Sequence, residues 1–156
     1  MHLALFAILI GVIAGLRTFM APTAVSWAAK YGLLTLVGTP LAFLGYHWTA
    51  YIFTAFALLE LVADQLPSTP SRKVPQQFGA RLVTGSLAGA AIGAGLGAIW
   101  VGLVCGAIGA VMGTLGGAAT RGALAKAFGR DTPAALLEDL VAIVGAYLIV
   151  THLYVV

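Results

Sequence analysis

The apolar runs of this chain are long and continuous, and they leave few folds open to it. MHLALFAILIGVIAG begins the sequence, TAYIFTAFALL follows near the middle, and the stretch from Gly79 to Gly129 is too long for one bilayer crossing and fits two. Soluble domains are about a quarter charged. Here only 8% of residues are charged against 61% hydrophobic, with a mean hydropathy of +1.03. That is too little polar surface to cover a water-facing globule, so the reading is a single transmembrane domain over residues 1–156. A barrel would need segments of about ten residues of alternating polarity, whereas these runs are unbroken and rich in Ala, Leu and Gly.

A formal charge of +3 does not point to nucleic acid, because the basic residues are scattered and no basic stripe carries interleaved aromatics. Cys105 is the single cysteine, which excludes an internal disulfide and cysteine-based metal sites. The N-terminal run lacks a basic n-region and stays apolar past Arg17, so it reads as a retained span and not as a signal peptide.

Five spans are expected. The first covers Leu3 to Ala29, interrupted by Arg17 and Pro22 and so tilted, kinked near Pro22 or partly outside the membrane, and residues 33–46 form an interfacial or re-entrant piece. An aromatic cluster at Tyr46, His47, Trp48 and Tyr51 suits headgroup depth. Spans two to five are placed at Trp48–Leu66, Gly79–Ile99, Val101–Ala127 and Ala134–Tyr154, with Trp100 at a tight turn and Asp131 as the N-cap of the last. One side then collects Arg72, Lys73, Arg81, Arg121, Lys126 and Arg130, and the other only Lys30. The positive-inside rule puts the N-terminus in the cytoplasm and the C-terminus outside, in an inner membrane.

Gly85, Gly89, Gly93 and Gly97 recur at four-residue spacing, and Gly102, Gly106, Gly109, Gly113 and Gly117 follow in the next span. Small residues so spaced let helices approach closely in lipid. They serve packing within the bundle, or an interface between copies of a homo-oligomer. GVIAGLRTFMAPTAVSWAAK also echoes AIGAVMGTLGGAATRGALAK, which under this topology makes an inverted repeat of spans one and two against four and five.

Charges inside apolar segments carry the functional expectation. Glu60 and Asp64, one helical turn apart, lie in the cytoplasmic half of span two, and Glu138 and Asp139 lie in the first turns of span five. Arg81 begins span three, Arg121 ends span four, and Arg17 sits deeper in span one. Together they form a candidate ion- or substrate-binding layer. Carboxylates suit a hard cation or a proton, and arginines suit an anionic group. The compromise is a cation- or proton-coupled carrier of a small ion or solute. The same charges in a purely structural role would make a scaffold or lipid-binding protein. His2, His47 and His152 have no zinc-binding spacing, and no cofactor is expected. A third reading takes Ser71 and Arg72, after Glu60 and Asp64, as loosely similar to the motifs of membrane prenyl-pyrophosphate phosphatases.

GLRTF at Gly15–Phe19, LLELVAD at Leu58–Asp64, PSR at Pro70–Arg72 and LLEDLVA at Leu136–Ala142 resemble the membrane family catalogued as domain of unknown function 4126. The resemblance implies a small bacterial-type multispan protein. It places family-like motifs on Arg17, Glu60, Asp64, Arg72, Glu138 and Asp139, and it supplies no substrate, cofactor or catalytic role.

Overall fold

A computed structural model of the chain describes residues 2–64 and 74–153. The described residues hold six α-helices and no strand: α1 (His2–Leu16), α2 (Met20–Lys30), α3 (His47–Ala63), α4 (Pro75–Gly95), α5 (Ile99–Phe128) and α6 (Asp131–His152). A short 3-10 turn at Ala42–Gly45 precedes α3. Two helices, α5 and α6, are long and apolar enough to cross a membrane, while α1 and α3 are shorter apolar helices.

Local sequence explains most of the boundaries. Pro75 opens α4 in a position where its missing N–H costs nothing. Gly97, at φ +77°, forms the turn into α5 after α4 has ended at Gly95. Gly97 therefore does not belong to the glycine ridge, and Trp100 lies within the first turn of α5. Gly129, at φ +67°, ends α5 in the left-handed conformation usual after a helix. Asp131 is the first residue of α6, and Arg130 holds the N-cap position with an extended backbone.

The expected first span is two helices. It breaks at Arg17–Phe19, not at Pro22, which sits harmlessly in the first turn of α2. The break is a reversal. α1 runs antiparallel to α4, since Ala14 packs near Gly85 while Arg81 reaches the carbonyls of Gly15 and Leu16. It is antiparallel to α6 as well, with Ile13 against Gly145 and Arg17 against Asp139. α2 turns back along α3: Phe19 stacks on Phe56, Trp27 donates to Thr54 Oγ1 at 2.9 Å, and Lys30 lies over Tyr51. Just beyond α2, Leu34 fills the space beside Gly95, at the end of the bundle where α1 began.

α1 and α2 thus form a helical hairpin. At 1.5 Å per residue their lengths are about 22 and 16 Å, less than a ~30 Å hydrocarbon core. The start of α1 and the end of α6 lie at the same end of the molecule, so they do not fall on opposite faces as a single first span requires.

The glycines are spent inside the bundle. Gly85, Gly89 and Gly93 face Gly102 and Gly106 across the α4–α5 contact, and a Cβ on Gly93 would stand 2.6 Å from the Ala98 carbonyl. Gly11 and Gly15 let α1 lie on α5 near Gly106 and Ala110, and Gly109 and Gly113 receive Ile8 and Val12. These pairs rise together in number, so α1 and α5 run parallel. The inverted repeat finds no support: the α1 part of its first copy runs parallel to α5, the α2 part turns back, and the second copy is one continuous helix.

Residues 33–46 pack over this end of the bundle, with Leu34, Leu36 and Leu44 in the core. The core itself joins Ile10, Ile13 and Ala14 of α1 to Val25 and Ala28 of α2, Ala91 and Ile92 of α4, and Ile149 of α6.

Candidate functional site at the helix break

An interrupted helix exposes backbone groups at both cut ends. The last carbonyls of one half and the first N–H groups of the next have no intrahelical partner. In this chain both ends are met by charged side chains from distant positions. Glu60, on the last turn of α3, accepts hydrogen bonds from the N–H groups of Thr18 at 2.7 Å and Phe19 at 2.9 Å. Its negative charge also suits the positive end of the α2 dipole. Arg81, on the second turn of α4, donates through Nη1 to the carbonyls of Gly15 at 2.8 Å and Leu16 at 2.6 Å, at the negative end of α1. The two caps approach each other, with Arg81 Nη2 3.6 Å from Glu60 Oε1.

Arg17 occupies the tip of the hairpin and is fully buried. It pairs with Asp64 at the end of α3 and with Asp139 on α6. Arg17 is therefore in the same layer as the other charges and not deeper than they are. Arg121 completes the set. It grips Asp131 in a two-bonded fork, Nε to Oδ1 at 3.0 Å and Nη2 to Oδ2 at 2.6 Å, and stands 3.6 Å from Glu138 and 4.0 Å from the Asp64 carboxylate. Arg121 Nη2 also donates to the Asp64 backbone carbonyl at 3.4 Å.

All seven layer residues expected from sequence, Arg17, Glu60, Asp64, Arg81, Arg121, Glu138 and Asp139, meet in one layer, drawn from the α1–α2 break and from α3, α4, α5 and α6. Three guanidinium groups face four carboxylates, and Asp131, with its side chain 60% exposed, adds a fifth at the edge. Two groups of participants have no sequence signal: the backbone at Gly15–Phe19, and Asp131, whose place before a proline suggested a cap. Ser71 and Arg72 lie outside the described residues. Among the described residues no group of three His, Cys, Asp or Glu side chains is placed to hold a metal ion.

A groove of about 300 Å3 between α1, α5 and α6 reaches Arg121 and Glu138. Neither Arg17 nor Glu60 lines it. At the opposite end of the molecule, Lys30 Nζ lies 4.4 Å from the ring centre of Trp27 and 4.1 Å from that of Tyr51, within a group that includes His47 and Trp48. Aromatic rings with a snorkelling lysine fit an interfacial anchor better than a site.

Scans against protein-family models, curated proteins and solved structures returned no match.

Proposed function

We propose that this protein is a multispan membrane carrier or channel-like protein for a small ion or solute, coupled to a proton or a monovalent cation, with the charged layer as its binding site. The observation that carries the reading is the α1–α2 hairpin, whose two helix ends meet in that layer. Interrupted helices with charged groups at the cut ends are the common way membrane carriers build a binding site near the bilayer midplane.

Membrane embedding beyond α5 and α6 draws support from the outer surface. Ile52, Leu59 and Val62 of α3 are exposed like Val104, Ile108 and Met112 of α5 and Leu140, Val144 and Leu148 of α6. A continuous exposed apolar surface of this kind is foreign to a monomer in water. On this reading α3 to α6 cross the bilayer and the hairpin enters it from one side. The positive-inside rule then assigns the end bearing Arg81, Arg121, Lys126 and Arg130 to the cytoplasm and the start of α1 to the outside, which reverses the orientation expected from a single first span. Assembly as a homo-oligomer stays part of the proposal. The resemblance to the domain of unknown function 4126 fits it and names no substrate.

A second reading has its own observation. Arg17 pairs with carboxylates, Glu60 accepts from backbone N–H groups, and neither lines the groove between α1, α5 and α6, as suits a non-transporting scaffold. Reconstitution decides between the two. Wild-type protein in liposomes with an internal pH-sensitive dye is given proton, Na+ or K+ gradients, and Glu60→Gln is run beside it. The carrier predicts flux in wild type that is lost in a folded Glu60→Gln variant; unchanged flux in the variant sinks the assigned site. Absence of wild-type flux under every gradient establishes the scaffold.

A further inference from the structure

The groove between α1, α5 and α6 has a chemistry of its own. Its walls are apolar until Arg121 and Glu138 close one end. Small residues hollow it out, and a Cβ built on Gly116 would meet nothing within 4 Å. Its rims, Met112 on α5 and Leu137 and Val141 on α6, are exposed. In a bilayer, the material covering such rims is lipid.

The polar end is also specific. Arg121 offers a planar fork of two N–H groups, now filled by the exposed carboxylate of Asp131 at 3.0 and 2.6 Å. A phosphodiester presents the same edge of two oxygens, and a guanidinium binds either one in this geometry. Exposed Lys126 and Arg130 add positive charge at the same end of α5.

We propose that the groove is a binding site for an anionic phospholipid, with one acyl chain lying along Gly116 and the phosphate replacing Asp131 on Arg121. Asp131 is then an internal stand-in for the headgroup, released when lipid arrives. The site rests on the membrane reading and is independent of the carrier reading. It places a lipid at the groove that reaches Arg121 and Glu138.

The test is thermal unfolding of the purified full chain in detergent during titration with dioleoylphosphatidylglycerol, dioleoylphosphatidylcholine or glycerol 3-phosphate. Phosphatidylglycerol raises the midpoint of wild type, because a ligand bound only to the native state stabilises it. Phosphatidylcholine raises it less, and the chain-free phosphate has no effect. Gly116→Leu fills the groove and abolishes the rise, whereas Asp131→Asn reaches half the effect at several-fold lower lipid. If Gly116→Leu lowers the midpoint before lipid is added, Leu137→Trp narrows the groove from the opposite wall and gives the same readout. A full lipid response in either groove-filling variant overturns the proposal, as does an equal response to glycerol 3-phosphate or to phosphatidylcholine. Lost lipid response with ion flux intact removes this site alone; lost flux with the lipid response intact removes the carrier alone.

Discussion

Replacing Glu60 by Ala strands the N–H groups of Thr18 and Phe19 and leaves Arg81 without its carboxylate. Breaking a buried pair from one side costs about 3–5 kcal/mol. Denaturation in detergent therefore shows Glu60→Ala far less stable than Glu60→Gln, which keeps one acceptor oxygen for the break. Arg17→Met removes the buried guanidinium that Asp64 and Asp139 share, at a similar cost. Adding Asp64→Asn and Asp139→Asn recovers much of the loss, because the three side chains act as a unit. An additive result, with the triple variant worse than the single one, dismisses the network. At this scale the layer was readable in advance: charges forced into apolar helices need partners, and helix register fixes their depth. Its backbone half was not readable, since nothing in GLRTF tells which residues in another helix cap Gly15, Leu16, Thr18 and Phe19.

Among the elements, the glycines of α5 divide into two kinds that sequence spacing cannot separate. Gly106 faces Gly85 and Gly89 at backbone contact, while Gly116 opens on empty space. Gly106→Ala forces α4 and α5 apart and costs about 1–3 kcal/mol, as overpacking does. Gly116→Ala gains up to about 1 kcal/mol from helix propensity. Opposite shifts in thermal midpoint check the pair, and equal shifts refute the assignment of faces. Helix positions were legible to within a few residues because the apolar runs and the Gly and Pro punctuation agree. The hairpin was not. Pro22 drew the expected kink toward itself, although a proline in the first turn of a helix breaks nothing, and the reversal at Arg17–Phe19 depends on two caps more than forty residues away.

At the scale of the whole molecule, the hairpin fixes which parts of the chain share a side. In a Cys105→Ser background, cysteines placed at His2, Thr39 and His152 react with an impermeant thiol reagent from one face of the membrane, and a cysteine at Arg130 reacts from the other. Labelling of His2→Cys and His152→Cys from opposite faces restores the single first span. The hairpin also imposes an order on synthesis. Its tip emerges from the ribosome first, yet the groups that satisfy it arrive with α3 and α4. The N–H groups of Thr18 and Phe19 wait for Glu60, and the carbonyls of Gly15 and Leu16 wait for Arg81. On the membrane reading each group unsatisfied in hydrocarbon costs several kcal/mol, so the hairpin waits at the membrane surface and enters after α3 and α4, and a nascent chain halted before Arg81 leaves it open to protease.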